Sequence, residues 1–211
     1  MGESVTSSDM STSAREPAPS RRWDRRLALV VSVLASPPVL VSLAALMTAN
    51  AAPDQSAWKW ASAYILIAVL APLGFLLWEF LLGDVSDLDI PERKQRIIPQ
   101  IFTVVCMLTA LVLLHLSSAP DRMVLIGSLF LLQACIIFAI TLRWKISVHC
   151  ATAAGVGVFV WAVSGAVLPL VVGVPAMAWS RLRLDRHTLA QAVAGAALGG
   201  VVFGLLAHRL A

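Results

Sequence analysis

The chain has 211 residues, of which 59% are hydrophobic and only 13% are charged, and its formal net charge is +4 at pH 7. A soluble globular domain is typically about 45–50% apolar and about 25% charged, so this composition argues against a soluble protein. The apolar residues form blocks long enough to cross a bilayer. We therefore expect an all-α polytopic membrane protein, a bundle of about six to seven transmembrane helices.

The first residues differ in kind from the rest of the chain. The segment MGESVTSSDMSTSAREPAPS is rich in Ser, Thr and Pro and has few apolar side chains. Such a segment buries too little apolar surface to offset the entropy that ordering would cost. We predict a disordered N-terminal tail over residues 1–22 and a transmembrane helical domain over residues 23–211.

Apolar stretches then follow one another along the chain. Pro37 and Pro38 predict a kink in the first, because proline lacks a backbone donor. Four glycines between residues 195 and 204 predict that the last helix closely approaches a neighbour. The fifth and sixth stretches are short and are expected to form a re-turning pair of helices around Pro169. The predicted spans are residues 27–49, 60–82, 97–116, 123–142, 148–166, 168–179 and 188–207.

The charges of the loops predict the orientation of the spans. The four arginines within residues 21–26 precede the first span, and basic residues at that position favour the cytoplasmic side. Counting spans from there returns the basic segments 93–96, 143–145 and 181–186 to the same side. We expect a multi-pass protein of a bacterial cell membrane, with these three loops in the cytoplasm.

The reactive side chains are concentrated in these three loops, GDVSDLDIPERKQRIIP, RWKISVHCA and SRLRLDRHTLAQ. Converging arginines suit a phosphate, because a guanidinium group presents a rigid fork of donors to its oxygens. Ser147, at a predicted helix start, adds neutral donors and the positive end of the helix dipole. His149 and His187 can act as nucleophile or proton donor near neutral pH. The loops therefore predict a site for phosphate chemistry.

The third loop carries the most specific motif. Ser180 and Arg181, followed after five residues by His187, match the Ser-Arg-x5-His-x3-Asp motif of the type 2 phosphatidate phosphatase family, which the chain resembles. In the second loop Ser147-Val148-His149 is similar to the family's Pro-Ser-Gly-His, with Ile146 and Val148 in place of Pro and Gly.

The family's first motif, Lys-x6-Arg-Pro, is matched more loosely. Arg96 stands for its arginine, but Ile97 follows it and Asp89 occupies the position of the lysine. Arg93 or Lys94 could supply the missing cation. The resemblance covers residues from about 84 to 195, with all three motifs in the family's order.

The resemblance implies a metal-independent lipid phosphatase with a histidine site at one membrane face. His187 would be the nucleophile that forms a phosphohistidine, and His149 the general acid and base. No cofactor or metal is implied, because the cationic side chains offset the charge that Mg²⁺ would otherwise carry. The phosphate would be bound by Arg93, Arg96, Lys145, Ser147 and Arg181.

The implied partners are a lipid-phosphate substrate and the surrounding membrane lipids, with no nucleic acid. A site at headgroup level favours a phosphomonoester or diphosphate on a lipid. Polyprenyl phosphate or diphosphate, phosphatidate and a polyprenyl-linked phosphosugar remain open as substrates.

One departure from the family's pattern concerns the residue four positions after the nucleophile, where Gln191 replaces the usual aspartate. Gln191 can accept a hydrogen bond from the Nδ1–H of His187, since residues i and i+4 share a helix face. It brings no negative charge. Asp84, Asp87 or Asp89 of the first loop could supply that charge; otherwise the enzyme is slow or inactive.

Two alternatives follow from the same residues. The first is a catalytically degenerate membrane protein that binds a lipid phosphate without cleaving it, suggested by Gln191, Val148 and Asp89. The second is a magnesium-dependent intramembrane prenyltransferase, because the spacing of DVSDLD suits Mg²⁺ bridging a diphosphate. Those enzymes carry two aspartate-rich motifs, whereas the third loop here offers only Asp185.

Overall fold

The computed structural model describes residues 19–83, 85, 87, 90, 92–205 and 207. All regular structure in this part of the chain is helical. The α-helices in chain order are α1 (Pro19–Leu34), α2 (Pro37–Asn50), α3 (Ser56–Ile65), α4 (Ala71–Leu82), α5 (Ile97–Leu116), α6 (Asp121–Thr141), α7 (Val148–Ser164), α8 (Val174–Arg183) and α9 (Leu189–Gly204).

The first two helices form a bent pair. Ser36 has an extended backbone before α2, and Pro37 occupies the first turn of that helix, where its missing N–H leaves no hydrogen bond broken. The two axes differ by 42° at this break, so the predicted kink is confirmed. Helix α1 begins at Pro19, inside the segment predicted as a tail, while residues 1–18 lie outside the described residues.

Two π-helical segments interrupt the longer helices. Leu66–Leu70 joins α3 to α4 without a break, and Pro169–Gly173 leads into α8. Each π-segment is followed two residues later by a proline, Pro72 or Pro175. A proline cannot donate to the carbonyl four residues earlier, and a widened turn accommodates that loss.

The number of helices able to cross a membrane is smaller than predicted. Among the described residues, three helices are long and apolar enough by length and composition, and the bent pair would be a fourth if it forms one span. This corrects the expectation of six to seven spans. The three are Ser56–Leu82, Lys94–Leu116 and Asp121–Thr141; the bent pair is Arg22–Leu34 with Pro37–Asn50; Val148–Ser164 and Leu189–Gly204 are shorter apolar helices.

The difference arises at the centre of the bundle. Helix α7 has 17 residues. At about 1.5 Å per residue it is shorter than a hydrocarbon core of about 30 Å. Residues 150–159 are all buried, so its apolar side chains pack against other helices. The exterior is also rich in apolar side chains, Leu66, Leu81 and Ile98 among them, each more than 60% exposed. Such a surface is compatible with a lipid environment.

Helices α7 and α9 form the most extensive helix pair and approach each other very closely. A Cβ atom on Gly195 would overlap the carbonyl oxygen of Ser147, and one on Gly199 would lie 2.7 Å from the carbonyl carbon of Ala151. Small residues at such positions let two helix backbones touch. The predicted close approach of the last helix is confirmed at Gly195 and Gly199, whereas a Cβ on Gly200 or Gly204 would meet nothing within 4 Å. The approach fixes the start of α7 beside the start of α9.

Candidate functional site

The three polar loops meet at one end of the bundle. In the α4–α5 loop, Arg93 Nη1 donates to the carbonyl oxygen of Thr141 at 3.2 Å and also to that of Leu142, at the end of α6. The backbone N–H of Ser147, before α7, donates to the carbonyl oxygen of Gln191 in α9 at 3.2 Å. These contacts join the first loop to the second, and the second to the start of the last helix.

An ion pair joins the first loop to the third. The guanidinium group of Arg186 donates to the carboxylate of Asp87, and both side chains are partly exposed. Arg96 Nε donates to the carbonyl oxygen of Ile90 at 2.7 Å, which anchors this side chain within its own loop. Residues far apart in the sequence are therefore held together around the two loop histidines.

His187 is oriented by a capping box at the start of α9. Thr188 is the N-cap, and its hydroxyl accepts from the backbone N–H of Gln191 at 3.4 Å. The Oε1 atom of Gln191 accepts from the backbone N–H of Thr188 at 3.2 Å and lies 3.1 Å from Nδ1 of His187. Because this oxygen can only accept, Nδ1 carries the proton and Nε2 retains its lone pair. Gln191 thus makes the contact anticipated from the sequence.

Buried positive charge surrounds His187. Arg96 and Arg181 are 6% and 1% exposed, and His187 is itself 8% exposed. Burial and then the charges of Arg96 and Arg181 lower the pKa of His187 to about 3; the hydrogen bond to Gln191 opposes this, and Lys145 adds a smaller lowering. The imidazole is therefore neutral at neutral pH, as a nitrogen nucleophile must be.

His149 lies in the first turn of α7. Ser147 is the N-cap of this helix, and its fully buried hydroxyl accepts from the backbone N–H of Cys150 at 3.3 Å. The charges of Arg181 and Arg96 reach the His149 ring, as they reach His187. The positive charges of the same two guanidinium groups therefore act on both imidazoles, and a cationic environment of this kind suits an anionic ligand.

Arg181 also receives support from a helix outside the three loops. Its Nη1 donates to the hydroxyl of Ser32 in α1 at 2.7 Å, and the neighbouring Ser180 hydroxyl donates to the carbonyl oxygen of Ala28 at 2.6 Å. Sequence reasoning did not find Ser32. Its only signal is a polar residue within an apolar stretch, which is common in transmembrane helices.

The remaining predicted site residues have various placements. Lys145 is half-buried and contributes to the positive charge at His187. Arg93 contacts backbone carbonyl groups at the end of α6, and Asp87 is paired with Arg186. The other two candidate charge partners, Asp84 and Asp89, lie outside the described residues. In the part of the chain that the structure describes, no group of three His, Cys, Asp or Glu side chains could hold a metal ion.

Comparisons with protein-family models, with curated proteins and with solved structures find no match for this chain. The functional interpretation therefore depends on the geometry of the site and on the short motifs within it. The main observations are the contact that orients His187 towards Gln191 and the two buried arginines whose charges act on both histidine rings.

Proposed function

We propose that the chain is a metal-independent membrane phosphatase that hydrolyses a phosphate ester or diphosphate on a lipid through a phosphohistidine. The observation that carries this proposal is the His187 ring, oriented by Gln191 Oε1 at 3.1 Å from its Nδ1. The charges of the buried Arg96 and Arg181 act on this ring and on that of His149. A neutral His187 imidazole and fixed cations are complementary to an anionic phosphoryl group whose charge grows in the transition state.

Binding of the phosphate would use the cations that surround the histidines. Arg96 and Arg181 offer planar forks of donors, and Lys145 adds a third positive charge. The first N–H groups of α7, which begins at Val148, add the positive end of a helix dipole. The bound anion would offset the charges that lower the pKa of His187, so substrate binding makes this nucleophile more basic.

The proposed reaction has two steps. Nε2 of His187 attacks phosphorus and an N–P bond forms. The P–O bond to the leaving group breaks while His149, in the imidazolium form that the bound phosphate would stabilise, gives its proton to the leaving oxygen. His149 then takes a proton from a water molecule that attacks phosphorus, and the N–P bond breaks to release phosphate. Throughout, Gln191 accepts the hydrogen bond from Nδ1 of His187 and keeps the ring in one orientation.

The position of the site supports a lipid as the substrate. The polar loops lie at one end of helices whose outer surfaces are apolar, and in a bilayer this end would lie at the level of the lipid headgroups. A polyprenyl phosphate or diphosphate, a phosphatidate or a polyprenyl-linked phosphosugar has the required phosphate on an apolar chain. The basic loops favour a cytoplasmic location for this site.

A second candidate function is binding of a lipid phosphate without hydrolysis. It is favoured by Gln191, which orients His187 but carries no charge, and by Asp87, whose carboxylate is paired with Arg186. An imidazolium-like state on His187 would then have no described carboxylate beside it. Such a protein would bind the lipid phosphate with the same arginine and lysine side chains but would release no phosphate.

Phosphate release from a panel of lipid phosphates, measured with EDTA present, tests the proposal. Wild-type phosphate release should persist without metal. His187→Ala should retain at most a few per cent of the wild-type rate, because the nucleophile is gone. His149→Ala should be nearly as inactive but accumulate acid-labile, base-stable phosphate on His187. His115→Ala makes the same change on an exposed residue at the other end of the bundle and should be unaffected.

Three outcomes separate the candidate functions. Phosphate release that survives His187→Ala would contradict the assigned nucleophile. Activity that appears only with Mg²⁺, with transfer of a prenyl group, would favour the prenyltransferase alternative. Binding of the lipid phosphates without release by the wild type would favour the second candidate.

A further inference from the structure

We propose that Ser32 is a positioning residue that holds the guanidinium group of Arg181 at the proposed phosphate site. Helix α1 would then contribute to that site through this side chain. This inference rests on the proposed function, since it assigns a role within the same site. None of the three motifs includes Ser32 or any other residue of α1, and its hydrogen-bond partner Arg181 lies 149 positions later in the sequence.

The contact between these two side chains is buried on both sides. Ser32 is 6% exposed and Arg181 is 1% exposed, and Nη1 lies 2.7 Å from the serine oxygen. A hydrogen bond from a charged donor is shorter and stronger than one between neutral groups. Because the guanidinium group is planar and rigid, fixing one terminal nitrogen also limits where its other donors can point.

A neighbouring contact has a different role. Ser180 Oγ donates to the carbonyl oxygen of Ala28 at 2.6 Å. Ala28 and Ser32 are four residues apart and therefore lie on the same face of α1. The Ser180 contact fixes α8 against α1, whereas the Ser32 contact acts on the guanidinium group itself. The two bonds can therefore be removed separately.

The energetic consequence concerns the cost of ordering Arg181. A long side chain that is free to rotate loses conformational entropy when it binds a ligand. An arginine that is already held in place avoids that loss, and its donors meet the phosphoryl oxygens without rearrangement. Removal of the Ser32 hydroxyl should therefore weaken phosphate binding while leaving the charge of the site unchanged.

The variants are chosen to separate positioning from packing. Ser32→Ala removes the acceptor, Ser32→Cys keeps the volume but offers only a weak acceptor, and Ser32→Thr keeps the hydroxyl. Ser180→Ala is the matched control, because it removes the other hydrogen bond between α8 and α1. Arg181→Lys removes the fork of donors, and the NMR signals that disappear in this variant are those of the Arg181 guanidinium group.

The first measurement is hydrogen exchange at the guanidinium group of Arg181, by NMR on the ¹⁵N-arginine-labelled full chain in micelles. A protected signal that disappears in Arg181→Lys should be retained in Ser180→Ala and Ser32→Thr. In Ser32→Ala and Ser32→Cys its exchange should be at least about tenfold faster, as expected for loss of a hydrogen bond to a charged group. Unchanged exchange in Ser32→Cys would overturn the inference.

The second measurement is the affinity for inorganic phosphate, followed by calorimetric titration. Ser32→Ala and Ser32→Cys should bind about tenfold more weakly than wild type, and Ser180→Ala within about twofold of it. An equal loss in Ser180→Ala would mean that helix docking, and not positioning of Arg181, is responsible. Hydrogen exchange is measured without substrate. A wild type that fails to release phosphate would therefore reject the proposed function, while the exchange data would still show whether Ser32 holds the Arg181 side chain.

Discussion

Gln191 uses one oxygen atom for two purposes. Its Oε1 accepts from the backbone N–H of Thr188, which completes the capping box, and lies at hydrogen-bond distance from Nδ1 of His187. The capping contact fixes the direction of the amide and therefore the orientation of the ring. Glutamate has the same reach as glutamine, whereas aspartate is one methylene shorter and would place its carboxylate farther from both donors.

Gln191→Glu should raise the pKa of His187 above its value of about 3, because a carboxylate beside the ring favours the imidazolium form. Phosphate release should also increase if the missing charge limits the reaction. NMR titration of the ¹⁵N-labelled imidazole measures the first effect. Gln191→Met is the matched control of similar length without an acceptor. It should lower the pKa further, because the present hydrogen bond raises it. An unchanged pKa in both variants would contradict the assigned contact.

The site residues were predictable from the sequence to the extent that they occur in short motifs. The spacing of His187 and Gln191 predicted their contact, although His187 precedes α9 and is reached by the Gln191 side chain folded back over the helix start. Ser32 could not be predicted, because its partner is remote in sequence and nothing in an apolar stretch indicates which helix face meets an arginine. The contact of Arg93 with the end of α6 was equally hidden, because it depends on how the loops fold over one another.

At the scale of the helices, the relative position of His149 and His187 depends on the backbone contact between α7 and α9, because each histidine lies at the start of one of these helices. The starts of α7 and α9 are held together where Gly195 lies against the carbonyl of Ser147 and Gly199 against that of Ala151. A carbonyl group of a helix cannot rotate aside as a flexible side chain can. The separation of the two helices is therefore set at these glycines.

Gly199→Ala should separate α9 from α7 and reduce both stability and phosphate release. Overpacking of this kind typically costs about 1–3 kcal/mol, and the backbone contact places this position at the high end. Gly200→Ala is the matched control on the same helix. A Cβ there meets nothing within 4 Å, so it should be neutral or stabilise by up to about 1 kcal/mol. Thermal unfolding in micelles, with phosphate release, measures the difference; equal effects of the two variants would contradict it.

The positions of the helices were predictable because apolar stretches and prolines mark them. The stretch predicted as residues 97–116 coincides with α5, and the break at Pro37 is present. The predicted number of helices able to cross a membrane was wrong, because hydropathy indicates only that a helix is apolar, not whether lipid or protein surrounds it. Helix α7 is surrounded by protein, since its residues 150–159 are buried by neighbouring helices.

For the whole molecule, the three polar loops share one end, and the four arginines before the first span predict that this end is cytoplasmic. Gln55 lies at the opposite end of the long helix Ser56–Leu82, and both Gln55 and Glu92 are exposed. Single cysteines at these two positions, in a background without the native Cys106, Cys135 and Cys150, can be labelled with an impermeant maleimide in intact cells. We expect labelling at position 55 and not at 92; the reverse would place the site outside.

The contact between Ser32 and Arg181 also bears on how the protein is made. These residues are separated by 149 positions, so at about 5–20 residues per second Ser32 is synthesised roughly 7–30 seconds before its partner. Gln191 is made later still. During this interval the ribosome-bound chain contains Ser32 but neither its partner Arg181 nor the histidine that Gln191 orients, His187. The site therefore forms only late in biosynthesis, and a chain arrested after α7 would lack the proposed nucleophile even if every earlier helix were correctly inserted.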